Sequence, residues 1–77
     1  MKRLSRKELL KKHDFVSSFV KGLAMVGKDG EEFHIHPDGT PAYKERYDSV
    51  GPFLGGIAWV KKDGEEFHIY PNGTIAD

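Results

Sequence analysis

The chain contains no cysteine, which excludes a disulfide framework and any thiolate metal site. That composition suits a reducing compartment, and a cytoplasmic location is expected. No apolar run approaches the roughly 20 residues of a membrane-spanning helix, so no membrane association is expected. The basic start of the chain is not followed by the apolar stretch of a signal peptide. Charge of neither sign prevails, with 12 Lys and Arg against 12 Asp and Glu. Length is scarce as well. Seventy-seven residues leave room for one small core, and a chain of this size buries only about 60% of its unfolded surface.

What is present is a repeat. Residues 14–43 return as residues 48–77, with 18 of the 30 aligned positions identical. Lys28–Ile35 and Lys62–Ile69 both read KDGEEFHI. Pro37-Asp38-Gly39-Thr40 follows the first and Pro71-Asn72-Gly73-Thr74 the second. A fixed period in this range marks a repeat architecture. Residues that recur at one place in both copies are first candidates for a role in the fold.

The neutral total hides an asymmetry. Residues 1–13 carry six basic side chains, Lys2, Arg3, Arg6, Lys7, Lys11 and Lys12, against Glu8 alone. Residues 14–77 carry six basic and eleven acidic groups. Ser5-Arg6-Lys7-Glu8 has the form of a capping box. Leu9 and Leu10 supply a narrow apolar stripe, and Lys11 and Lys12 suit the negative end of a helix dipole. The spacing predicts a short helix over 5–13, too short to persist unless it docks.

The rest reads as β structure. Gly22–Lys28 and Glu31–His36 flank Asp29-Gly30, and Gly56–Lys62 and Glu65–Tyr70 flank Asp63-Gly64. Asp-Gly between two such runs is a strong signal for a two-residue hairpin. That turn sets the register. Val26 then faces Phe33, Met25 faces His34, Ala24 faces Ile35 and Leu23 faces His36. A third strand is expected after each hairpin, near Thr40–Lys44 and Thr74–Asp77. Phe19 and Phe53 are expected to anchor the connectors. The organisation predicted is a basic N-terminal helix over 1–13, repeat unit 1 over 14–47 and repeat unit 2 over 48–77, in one domain.

Alternation along the strands divides each hairpin into two faces. Ala24, Val26, Phe33 and Ile35 lie on one, matched by Ala58, Val60, Phe67 and Ile69; this shared apolar face predicts the core. Leu23, Met25, His34 and His36 lie on the other, matched by Ile57, Trp59, His68 and Tyr70. Aromatic residues and Met are enriched at contact surfaces. Trp59, Tyr70, Met25, His36, Leu23 and Ile57 are therefore the candidate partner-binding residues, against the plainer reading that they fill a second half-buried layer.

Other chemistry has weaker support. His34, His36 and His68, with Asp38 or Glu32, are the residues from which a zinc site could be drawn. Tyr70 replaces the second imidazole of the pair in copy two, however. The plainer reading packs His34 and His68 across from Met25 and Trp59. Ser17, Ser18 and Ser49 belong to no nucleophile elbow, and Glu31-Glu32 and Glu65-Glu66 flank turns where solvated acids are ordinary. No enzyme activity and no cofactor are expected. A nucleic-acid role would fall to the basic arm, Lys2 to Lys12, because the body is acidic where the aromatic residues lie.

Tyr47-Asp48-x-Val50-Gly51-Pro52-Phe53-x-x-Gly56-x-Ala58-x-Val60-x-Lys62-Asp63-Gly64 resembles the bacterial WG-repeat family, over roughly residues 14–77. The Trp-Gly pair that names the family falls at Glu32-Phe33 and Glu66-Phe67 and is absent from both. The resemblance implies a chain of short β units acting as a non-enzymatic interaction scaffold, and no catalytic residue carries over.

These readings converge on a mainly β fold: two tandem three-stranded meander or hairpin repeats preceded by a short N-terminal α-helix. The expected role is a repeat module for protein–protein interaction or self-assembly, with a homodimer as one form. The alternatives are a nucleic-acid accessory protein acting through the basic helix and a histidine-based metal-binding protein.

Overall fold

The structure, a computed structural model, describes residues 3–76. Lys2 and Asp77 lie outside them. Helix α1 spans Arg6–Lys12 and is held by the capping box that the sequence predicts. The Glu8 amide donates to Ser5 Oγ at 3.2 Å, and the Ser5 amide donates to the Glu8 carboxylate at 3.0 Å. The helix stops at Lys12 because His13 is already extended. Leu9 is its one buried residue.

Six strands follow: β1 Phe15–Val16, β2 Ala24–Lys28, β3 Glu31–Ile35, β4 Ser49–Val50, β5 Ala58–Lys62 and β6 Glu65–Ile69. They form two antiparallel sheets, ordered β1-β2-β3 and β4-β5-β6. The predicted register holds from Ala24–Ile35 to Lys28–Glu31, and the second hairpin repeats it. Asp29-Gly30 and Asp63-Gly64 adopt the positive φ that a two-residue I′ turn requires, 54° and 82° in the first and 51° and 82° in the second.

Two expectations are corrected. Gly22 and Gly56 are turn residues, not the first residues of strands. Lys21-Gly22 and Gly55-Gly56 form a second pair of tight turns, with φ of 51° and 82° and of 62° and 86°. Val20 and Leu23 exchange amide–carbonyl bonds at 2.9 and 3.1 Å across the first. Leu23 therefore bridges Val20, and the expected Leu23–His36 pair is replaced. The third strand of each sheet also comes from before the hairpin, as β1 and β4. The segments expected to supply it make single bridges, Ile35 to Pro41 and Ile69 to Ile75. Two-residue turns on both sides of β2 and β5 fold the preceding connector straight back, so that edge is taken first.

The shared apolar face is the core. Ala24, Val26, Phe33, Ile35, Ala58, Val60 and Ile69 are buried, joined by Val16, Val50, Tyr43, Tyr47 and Phe53. Phe67 is half-buried, unlike its counterpart Phe33. Phe53 anchors its connector as expected, whereas Phe19 is only partly covered.

One continuous stretch joins the units. Tyr47 exchanges two main-chain bonds with Glu32 of β3, at 2.8 and 3.0 Å. The next residue, Asp48, donates to Lys61 of β5 at 2.9 Å. The chain thus leaves one sheet and enters the next without a break.

Candidate functional site

The period of 34 residues makes each contact between the units a template. Position 34 shows this best. The imidazole of His34 is 1% exposed. Its Nε2 lies 2.8 Å from the Gly51 carbonyl and its Nδ1 2.6 Å from the Tyr43 hydroxyl. A carbonyl can only accept, so Nε2 carries the proton and the hydroxyl donates to Nδ1. Burial lowers the pKa of His34, an effect partly offset by the bond to Gly51. Burial likewise raises the pKa of Tyr43, with Tyr47 beside it adding to the shift. The Phe53 ring lies 4.5 Å from that of His34, and Pro52 and Phe53 close over a small hollow whose walls include Leu23 and Met25.

The carboxylate of Glu32 accepts from the Val50 amide at 2.9 Å. The guanidinium of Arg46 sits 3.8 Å from the centre of the Phe33 ring, a cation–π contact. Residues 43–53 therefore lie over both sides of β3 as well as pairing with its edge. Edge-on rings run from Tyr43 through Tyr47 to Phe67 and connect the two hairpins.

At the start of the chain the helix stands where residues 40–46 stand in the middle. Leu9, the positional counterpart of Tyr43, covers the Gly39 turn as Tyr43 covers the Gly73 turn. Arg6 donates to the Ser17 carbonyl at 3.2 Å and also to the Val16 carbonyl. The Ser17 carbonyl is the counterpart of the Gly51 carbonyl that His34 bonds, so Arg6 does at the first unit what a histidine does at the second.

At the other end no such cover is present among the described residues. Glu66 is the counterpart of Glu32, and its main chain faces the outer edge of β6 with no bonded partner there among the described residues. Its carboxylate accepts instead from the Trp59 indole at 2.9 Å. Phe67 and His68 are half-buried where Phe33 and His34 are buried. Tyr70 is 45% and Ile75 59% exposed. Phe67 and Ile75 share an open cleft with Lys62, Asp63, Glu65 and Glu66.

The candidate contact residues fall into two groups. Leu23 and Met25 are half-buried beneath Pro52 and Phe53 in unit 1, where the protein covers its own surface. Ile57 and Trp59 are their half-buried counterparts in unit 2, while Tyr70 and His36 are exposed. Sequence reasoning missed the edge and far side of the same end, Glu66, Phe67 and Ile75.

The histidines do not assemble. Both ring nitrogens of His34 are engaged, His36 is exposed, and no cluster of three metal-ligating side chains occurs among the described residues. Of the basic arm, Arg3, Lys7, Lys11 and Lys12 are exposed. Arg6 is occupied with main-chain carbonyls, and Lys2 lies outside the described residues. No described helix is long and apolar enough to cross a membrane.

No curated protein and no solved structure matches the chain. Residues 35–65, from the end of β3 to the start of β6, match the family model described as the WG containing repeat, and this match supports a WG-repeat-like family for the chain.

Proposed function

We propose that the chain is a non-enzymatic repeat module for protein–protein contact or self-assembly, and that it makes this contact through the Glu66, Phe67 and Ile75 side of unit 2. One observation carries the reading. The surface of unit 1 around Glu32 and Phe33 is covered by residues 43–53, while among the described residues the main chain of Glu66 has no bonded partner on the outer edge of β6 and Phe67 is half-buried. An edge strand with unpaired main-chain groups beside exposed apolar side chains is prone to acquire a partner. Against that surface, the basic face of α1 has one of its cations directed inward, which leaves the nucleic-acid reading without an observation in its favour.

Solution mass by light scattering, from micromolar to millimolar concentration, tests the self-assembly form. The mass of the native chain should rise with concentration from 8.7 kDa, and Ile75→Glu should abolish the rise. A constant monomer would remove self-assembly and leave a different protein as the partner.

A further inference from the structure

We infer that the cleft beside Phe33 in unit 1 binds a small aminophosphate, its phosphate at the Arg46 end and its amine at the Glu31 end. The site is separate from the contact surface of unit 2 and goes beyond the interaction reading.

The cleft has a volume of about 760 Å3 and opens between the end of α1, the Asp29-Gly30 turn and the stretch around Arg46. That size is within the range of small-molecule sites. Arg46 is half-buried in its wall. One guanidinium nitrogen donates to the carbonyls of Tyr43, Lys44 and Glu45, at 3.3, 3.0 and 3.0 Å. The group lies 3.8 Å from the centre of the Phe33 ring. These contacts fix its plane, and no carboxylate among the described residues pairs with it. A guanidinium held in this way loses little freedom on meeting an oxyanion, which its other N–H groups can bind bidentately. Lys11 and Lys12 line the same cleft from the last turn of α1 and are not ion-paired with any described residue. Lys12 and Arg46 are one period apart, so the repeat itself brings a cation here from two consecutive connectors.

The opposite end is acidic. Asp29 and Glu31 stand at the hairpin turn with Lys28 as the one cation beside them. Asp14 is tied there by its carboxylate, which accepts from the Asp29 amide at 3.1 Å. Glu31 and Phe33 share one face of β3, two residues and so about 7 Å apart. Between the ends His13 serves as wall. Its Nδ1 donates to the Leu9 carbonyl at 2.9 Å, and its ring meets that of Phe33 edge-on.

This division of charge selects the ligand. A long polyanion would run into the carboxylates of the turn. A short molecule with a phosphate and an ammonium group a few bonds apart meets the opposite sign at each end.

The test is calorimetric titration of the intact chain with O-phosphoethanolamine and with inorganic phosphate at low ionic strength. The expected result is saturable binding of one O-phosphoethanolamine per chain, at least about tenfold tighter than inorganic phosphate, the effect of one added good contact. Added salt should weaken it. Lys12→Ala and Arg46→Gln should weaken both ligands, and Glu31→Gln should weaken O-phosphoethanolamine alone. Lys12 and Glu31 are exposed, so their variants keep the test decisive if Arg46→Gln does not fold. Cosedimentation with vesicles of phosphatidylethanolamine in phosphatidylcholine separates the two sources of this chemistry. Retention that O-phosphoethanolamine reverses supports a lipid headgroup, and no retention beside binding of the free compound supports a soluble aminophosphate. Equal affinity for inorganic phosphate would overturn the amine end. Absence of saturable binding, or equal affinity in the native, Lys12→Ala and Glu31→Gln proteins, would overturn the site.

Discussion

His34 is the one polar or charged residue buried among the described residues. Neutral, it completes a chain of hydrogen bonds from Tyr43 to Gly51, and its burial lowers its pKa from the ordinary 6.5. The unfolded chain therefore binds a proton near pH 6.5 that the folded chain takes up only at lower pH. Stability from this source is full above that value and declines as pH falls through it toward the folded pKa. The midpoint of urea unfolding should drop between pH 7 and 5.5, and His34→Gln should flatten the change in that window. Tyr43→Phe removes the donor to a buried nitrogen, at a cost of about 1–3 kcal/mol. Tyr70→Phe, at an exposed position, should cost close to nothing in the same denaturation. Glycines divide by their surroundings. A Cβ at Gly73 would lie 2.7 Å from Tyr43 Cβ with φ at +90°, whereas one at Gly55 would meet nothing within 4 Å. Gly73→Ala should therefore destabilise more than Gly55→Ala, by on the order of 1 kcal/mol or more, as the two thermal midpoints would reveal.

Among the elements, α1 is the one that cannot stand alone. Seven residues are too few for an isolated helix, so its capping box and its contact with β1 must act together. Ser5→Ala should cost about 1 kcal/mol. The loss should be visible as faster hydrogen exchange at Asp14 and Ser17, whose amides bond to Gly27 and Met25 across the β1–β2 pair. Unchanged exchange there would mean that the helix is not what holds β1. At this scale the sequence was legible wherever a local rule applied, as at the Ser5–Glu8 cap and the Asp-Gly turns. It misled where two local signals competed. Gly55-Gly56 is itself a turn signal, yet each glycine also fits the start of an alternating strand. Only the return of β4 along β5 distinguishes the two.

For the molecule as a whole, the question is whether two units of one sequence behave as one cooperative body. The bonds from Glu32 to Tyr47 and Val50, and from His34 to Gly51, cross between them, and nearest-neighbour contacts of this kind couple repeats in unfolding. Trp59 fluorescence, which reports on unit 2, and far-ultraviolet circular dichroism, which reports on both units, should give coincident denaturation curves. Ile35→Val and Ile69→Val, both fully buried, should each shift that one transition by about 0.5–1.5 kcal/mol. Two separate transitions would show that the units fold independently. The candidate surface belongs to this scale too. Ile57, Trp59 and Tyr70 were visible in the sequence as an apolar and aromatic face. That Leu23 and Met25 line a hollow under Pro52 and Phe53 depends on which residues follow the first hairpin in space.

The sequence by itself determined the period, the cap of the helix, the hairpin register and the identity of the apolar face, because each rests on contacts a few residues apart or on strict alternation along a strand. The tertiary structure alone decided that the connector supplies the third strand, that Arg6 substitutes for a histidine, and that the Glu66 main chain has no bonded partner on the outer edge of β6 among the described residues. Those outcomes depend on groups many residues apart competing for the same main-chain partners. In two copies identical at 18 of 30 positions that competition ends differently, with residues 43–53 covering Glu32 and His34 of the first.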